Sequence, residues 1–301
     1  MKKEPVPPKN NRPEPSADLS VERLYSQHSR NWRENLYVYP VVSRRSEGVS
    51  IGVNLNPDMA CNFDCIYCQV DRTVEPRVRR VDLDRLTAEL DAMIRLAQGG
   101  ALFSEPPFAD VPARLRVVRD IAFSGDGEPT ASPQFPAAVN VAADLRKRYE
   151  LSDARIRVIT NATLLNRPIV RSALAVLDDN NGEIWAKLDA GTEDYFQLIC
   201  RSRVPLATIL VNILDTARVR PIVIQSLWMH VRNQPPPDDE IDAYADRIEE
   251  IIAKGGRLKL VQIYTTARMP AESYVTPLST AQLEAIAARV RTRVDVPIRV
   301  Y

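Results

Sequence analysis

Apolar positions along the chain change rhythm in a repeating order. Short runs rich in β-branched residues occupy 36–42, 50–55, 120–124, 155–160, 183–188, 221–228, 258–264 and 296–300. Each is too short for a typical helix and reads as a strand, buried on both faces where the run is continuous. Between them lie stretches with apolar residues three and four apart. In 81–97 these are Leu83, Leu86, Leu90, Met93, Ile94 and Ala97, the spacing of one helix face. The same reading predicts helices over 132–149, 168–177, 192–200, 206–214, 238–253 and 279–291. Ser132 stands where a cap belongs, with Pro133 in the opening turn. The runs at 36–42 and 50–55 have no helix between them and predict a small hairpin.

Strand followed by helix, repeated about six times, forces parallel pairing, because parallel neighbours need a crossover. The fold class expected is α/β, a full or partial (β/α)6 TIM-like barrel with parallel strands. Active residues then belong at the C-terminal ends of the strands and in the loops that follow. The chain divides into a polar, Pro-rich tail over 1–20, expected to be disordered, an extension over 21–49 packed on the core, and a core domain over 50–301.

Composition adds little to this picture. The 301 residues, 45% of them hydrophobic, suffice for one barrel-sized core. A formal net charge of +1 argues neither for nor against nucleic acid, which is therefore not excluded as a partner. The local runs Arg44-Arg45 and Arg77-Val78-Arg79-Arg80 read as solvated faces. No stretch approaches the ~20 apolar residues of a bilayer span, and the first residues lack a signal peptide's apolar stretch. A cytoplasmic protein without a membrane partner is expected.

Four cysteines do change it. Three fall in Cys61-Asn-Phe-Asp-Cys65-Ile-Tyr-Cys68, directly after a predicted strand. Bunched thiols point to metal or redox work in a reducing compartment rather than to a disulfide framework. Thiolates are the soft ligands of iron–sulfur clusters. Three of them can hold three irons of a [4Fe–4S] cubane and leave the fourth open, and an open metal position serves chemistry rather than structure. Other readings stay open: zinc, which would need a fourth ligand although His28 and His230 are far away in sequence; a ferredoxin-like site completed by Cys200; or buried apolar cysteines. Cys200 stands at helical spacing from Phe196 and reads as a core thiol.

Further candidates sit at predicted strand ends. Gly125 and Gly127 in Phe123-Ser-Gly-Asp-Gly-Glu-Pro-Thr130 permit close backbone approach to a ligand and positive φ. Asn161 follows the next strand, either as a turn former or as a ligand contact. Lys187 and Asp189 share one face of a strand. Charges in a barrel mouth need partners, supplied either by a zwitterionic ligand with a ribose or by each other. Gln225 and Trp228 flank the mouth on the strand after that.

The C-x3-C-x-aromatic-C pattern resembles that of the radical S-adenosylmethionine (SAM) superfamily, and the resemblance runs over about 50–265. It implies that Cys61, Cys65 and Cys68 hold a [4Fe–4S] cluster whose open iron binds the methionine amino and carboxylate groups of SAM. Electron transfer then yields methionine and a 5′-deoxyadenosyl radical, which takes hydrogen from a substrate. Tyr67 would place its ring beside the ligand. The 123–130 segment is similar to the superfamily's Gly-Gly-Glu motif, with Asp126 where many members have Gly, and implies SAM contacts from Gly125, Gly127 and Glu128. Asn161 would meet the ribose or carboxylate, Lys187 the carboxylate, Asp189 the hydroxyls and the backbone at Ile263 the adenine, with Gln225 also at the site. Lys187 and Asp189 resemble a pair in the activating enzymes of glycyl-radical proteins. The segments 54–72 and 123–130 are most similar to the branch containing the wyosine-forming tRNA enzymes, although only Cys200 is left over where those enzymes carry extra cysteines for a second cluster. The resemblance implies an electron donor such as flavodoxin or ferredoxin and leaves the substrate unidentified. An RNA-modifying or protein-activating member is the second reading, and a non-catalytic electron carrier or redox sensor the third.

Overall fold

The computed structural model describes residues 32–301. The tail expected over 1–20 lies outside the described residues, as does the first part of the expected extension. Strands are β1 (Val38–Ser43), β2 (Gly48–Val53), β3 (Val118–Phe123), β4 (Arg155–Thr160), β5 (Gly182–Lys187), β6 (Ile222–Leu227), β7 (Met229–Val231), β8 (Leu258–Tyr264), β9 (Val275–Pro277) and β10 (Ile298–Val300). Helices are α1 (Leu83–Gln98), α2 (Phe135–Arg148), α3 (Pro168–Asp178), α4 (Glu193–Cys200), α5 (Leu206–Val219), α6 (Asp238–Ala253) and α7 (Thr280–Arg291).

One sheet of order β1-β2-β3-β4-β5-β6-β8-β10 organises the molecule. β1 and β2 form the expected hairpin, antiparallel from Val38 opposite Val53 to Ser43 opposite Gly48. From β2 onward every neighbour is parallel. Each parallel crossover carries a helix, and two helices, α4 and α5, lie between β5 and β6. β1 and β10 are the sheet's two ends and do not pair, so the barrel is partial rather than full. β7 and β9 make a separate two-stranded ribbon. Among the described residues no helix is long and apolar enough to cross a membrane.

Helix stripes cover the sheet's outer face. α1 buries Leu86, Leu90, Met93, Ile94 and Ala97, as its spacing requires, and Asp82 caps it by accepting from the Arg85 amide at 3.1 Å. Glu89 also lies on that buried stripe. Its carboxylate accepts from the amides of Leu36, Tyr37 and Val38 at 2.9–3.2 Å and so pins the approach to β1. The chain ahead of position 50 is thus part of the main sheet.

Two boundaries differ from expectation for identifiable reasons. α2 begins at Phe135, not at Ser132, because Ser132 closes a short 3-10 turn over Pro129–Ala131 by donating its amide to Pro129 O. α5 runs on to Val219 because its buried stripe continues through polar residues. There Asn212 donates to the carbonyls of Ala162 and Thr163 at 2.9 and 3.1 Å, and the Thr216 hydroxyl donates back to Asn212 O.

Candidate active site

The cysteine loop is held by the residues between its cysteines. Phe63, Ile66 and Tyr67 are buried, and Phe63 meets Phe196 of α4 edge to face at 5.5 Å. The amides of Asp64 and Ile66 donate to the last carbonyls of α4, Cys200 O at 3.1 Å and Ile199 O at 2.9 Å. These are carbonyls that a helix end leaves without intrahelical partners. Asn62 donates to Thr163 Oγ1 at 2.6 Å and accepts from Asn161 Nδ2 at 2.7 Å, which ties the loop to the end of β4. With the intervening residues anchored, Cys61, Cys65 and Cys68 remain half-buried and all three line one cavity.

That cavity is the lumen of the curled sheet, about 630 Å³, within the range of small-molecule sites. Alternate residues of successive strands line it: Ser50 and Gly52 from β2, Asp120 and Ala122 from β3, Arg157 and Ile159 from β4, Trp185 and Lys187 from β5. Gly125, Gly127, Glu128, Asn161, Tyr67 and Gln225 also line it, so the structure gathers most of the sequence-derived candidates around the three thiols.

Gly125 and Gly127 serve differently than expected, since neither has a positive φ. A Cβ on Gly125 would come within 2.3 Å of Asn54 Oδ1, and one on Gly127 within 2.0 Å of Ala60 O. The close approach they allow is to the segment leading into the cysteines. Asn54 completes that contact by accepting from the Asp126 amide at 3.1 Å. Glu128 is buried and accepts from Thr130 N, Thr130 Oγ1, Thr160 Oγ1 and Asn161 N at 2.5–3.1 Å. A carboxylate has about four lone-pair sites. Three of these donors share Oε1, so the remaining acceptor position is on Oε2. Burial raises the Glu128 pKa despite these bonds.

Three candidates are not on the cavity wall. Asp189 is 2% exposed and committed to protein: Oδ1 accepts from Leu227 N at 2.8 Å, and Oδ2 takes the Tyr67 hydroxyl and lies 3.2 Å from Lys187 Nζ. The mutual ion pair is thus the arrangement observed, because a buried carboxylate this close to an ammonium is satisfied by it. Ile263 is fully buried, and its carbonyl accepts from Tyr301 N at 3.0 Å as β8 pairs with β10. Trp228 is likewise fully buried, its ring 5.2 Å from that of Tyr244.

Lys187 faces the lumen with Nζ 3.1 Å from the Tyr264 hydroxyl and 5.0 Å from the centre of the Tyr67 ring. Burial alone would lower its pKa, but Asp189, then Tyr264 and Cys65, outweigh that and push it up, so it is charged. Among the thiols, burial pushes Cys61 up to about 11. Cys65 shifts the other way. A hydrogen bond from Cys200 holds it below the usual thiol range against burial, with Tyr67 and Lys187 assisting. Cys200 is a core thiol as expected, but one placed against the loop.

The donor set fits an iron–sulfur cluster. Three thiols face one space, and no histidine is among the residues lining it. Among the described residues no three His, Cys, Asp or Glu side chains are arranged to hold a metal ion. Cluster irons take one thiolate each, so a shared wall is what they require, and binding displaces the thiol protons that burial retains.

Sequence reasoning missed Asn54, Asn62 and Arg45. The asparagines carry no distinctive signal outside their contacts. Arg45, read as part of a solvated pair, instead enters the lumen.

The family model for the radical SAM superfamily matches residues 56–221. The GTPase Obg of Brachyspira hyodysenteriae is 30% identical over 167 residues, covering 53% of this chain and 20% of that protein. The UPF0026 protein MJ1312 of Methanocaldococcus jannaschii is 27% identical over 167 residues, covering 52% of this chain and 44% of that one. The chain thus spans less than half the length of both relatives. Among solved structures, Streptococcus suis SuiB bound to S-adenosylmethionine aligns with a TM-score of 0.56 at 12% identity, over 86% of this chain and 52% of that one. The likeness is one of fold.

Proposed function

This chain belongs to the radical SAM superfamily, and from that we propose that it is an enzyme using a [4Fe–4S] cluster and SAM to abstract hydrogen from a substrate in the lumen. Together the two cofactors, when bound, supply reductive cleavage of SAM to methionine and a 5′-deoxyadenosyl radical. Cys61, Cys65 and Cys68 hold the cluster. Lys187, kept charged by its neighbours, meets the methionine carboxylate, and the remaining acceptor of Glu128 meets the amino group. Gly125 and Gly127 leave backbone on that wall, while Asn161, Gln225 and the ring of Tyr67 border the ligand. Asp189 acts behind them as a positioning residue that fixes Tyr67 and Lys187.

The observation that supports this reading is the meeting of three thiols with Gly125, Glu128, Asn161 and Lys187 around one cavity, from the ends of four successive strands. That is where chemistry sits in such folds. The electron comes from a donor such as flavodoxin or ferredoxin, and the protein works in the cytoplasm, where thiols stay reduced.

Anaerobic reconstitution with iron and sulfide, then reduction with SAM present, tests it. 5′-Deoxyadenosine is expected from the wild type. Replacing Cys61, Cys65 and Cys68 together by Ala is expected to abolish iron binding and product, while Cys200→Ala retains iron. A reconstituted wild type that forms no 5′-deoxyadenosine refutes the activity. Loss of iron in the Cys200 variant would make that thiol a ligand.

A further inference from the structure

Arg45 stands on the turn between β1 and β2, yet its guanidinium lies over rings from distant strands. Its central carbon is 5.2 Å from the centre of Trp185 on β5 and 5.0 Å from that of Tyr264 on β8. β5 is three strands away from β2 in the sheet, so the side chain crosses the lumen. The ring faces offset part of its charge but take no hydrogen bond in the guanidinium plane. Nη1 is buried and, among the described residues, has no hydrogen-bond partner. Buried donors are almost always satisfied, and a charged one left unpaired is costlier than a neutral one.

The surroundings favour an anion as the missing acceptor. Six of the lining residues are basic and three acidic. Of the acids, Asp120 is engaged by Arg157 and Ser50, and Glu128 by Thr130 of its own turn and by Thr160 and Asn161 at the end of β4. Of the bases, Arg157 is paired with Asp120 and Glu183, Lys187 with Asp189 and Arg72 with Asp64, whereas Arg45 has two ring faces in place of a carboxylate. Tyr264 joins this region to the cysteine end: its ring lies 5.0 Å from the Arg45 guanidinium and 5.6 Å from Lys187 Nζ. A molecule held at Arg45 would extend toward the thiols.

We propose that Arg45 binds an oxyanion of the substrate, a carboxylate or a phosphate, inside the lumen. The proposal rests on the reading of that lumen as the reaction chamber and adds the chemical class of what enters it. Guanidinium suits both anions through its planar fork of donors.

Calorimetric titration of cluster-reconstituted, SAM-bound protein with inorganic phosphate and, separately, with malonate tests it, with ionic strength held constant by sodium chloride. One of the two is expected to bind saturably. Saturation by phosphate assigns a phosphorylated substrate, and saturation by malonate a carboxylate. Arg45→Met, which keeps an apolar stem over Trp185, should weaken that binding about ten-fold or more, the size of one charge-assisted hydrogen bond. Arg45→Lys, which keeps the charge without the fork, should weaken it less and carries the comparison if the Met variant does not fold. No saturable binding of either anion, as for a pocket that holds only water, overturns the proposal, and so does equal affinity in the variants. Iron and SAM binding are read on the same samples. Anion binding that fails in protein holding both refutes the role of Arg45 alone, whereas protein holding neither refutes the underlying reading as well.

Discussion

Arg157 lies between two buried carboxylates on the inner face of the sheet. Its Nη1 donates to Asp120 and to Ser46 Oγ, and its Nε donates to Glu183 at 3.1 Å. Glu183 also accepts from Arg155, Lys259 and the Trp185 indole at 2.6–2.9 Å. This network occupies the N-terminal halves of β3, β4 and β5, the end of a barrel that stabilises rather than reacts. Arg157→Ala strips Asp120 of its cation and should destabilise the fold by about 3–5 kcal/mol, read from urea denaturation. The same network sets an acid response. Burial alone would raise the Glu183 pKa, but Lys259, Arg157, Trp185 and Arg155 outweigh it and hold the pKa low. Its folded pKa then lies below its unfolded one, so its stabilisation is present above the ordinary glutamate range and fades as pH falls through the folded value. Glu183→Gln should therefore flatten the loss of urea stability as pH falls below about 4, from the ordinary glutamate value down through the lower folded one. An unchanged slope would mean that Glu183 is not among the groups taking up protons there.

At the scale of elements, the helix and strand rhythm was legible because core-facing positions are apolar wherever only packing is required. It failed where polar residues do the packing. α5 read as ending at 214, where the polar pair Asp215 and Thr216 follows, yet its buried stripe runs on through Thr216, and the polar Asn212 is what joins α5 to the turn after β4. Asn212→Ala leaves the Ala162 and Thr163 carbonyls without that donor, at a cost of about 1–3 kcal/mol in thermal or urea unfolding. Asn212→Leu, of similar bulk, should not recover it, because the loss lies in the hydrogen bonds. The candidate site divided along the same line. The cysteines and the Gly125–Glu128 turn were legible because few residue types can do their work. Asn62 and Asn54 were not, since their importance arises only when β2, β3 and β4 bring separate loops together. Alternation put Lys187 and Asp189 on one face, but the strand ends at Lys187, and the structure keeps Lys187 on the lumen wall and sets Asp189 behind it, joined to it by an ion pair.

At the scale of the molecule, the sheet and the long segment over 54–82 differ in how they are held. β3 to β6 are ladder-bonded on both sides and covered by helices. Residues 54–82 contain no helix or strand and carry all three lumen-facing cysteines. Long irregular segments in compact domains are usually functional, and their local opening is less costly than global unfolding. Here the segment is fastened by separate contacts and not by a ladder: among them the asparagine contacts with the turns after β3 and β4, the Asp64 and Ile66 amides on the end of α4, the Tyr67 hydroxyl on Asp189 and the Ala271 amide on Cys68 O. Hydrogen exchange should resolve this. Without cofactors, amides of 54–72 should exchange well ahead of those in β4 to β6, with Asp64 and Ile66 the slower ones among them. Reconstitution with iron and sulfide should slow the segment, and SAM should slow it further along with the turn at 125–128, while the central strands stay as they were. Equal protection across both regions before reconstitution would mean that the loop is rigid as folded. Slowing spread evenly through the sheet would mean that the cofactors stabilise the whole barrel and not the loop that grips them.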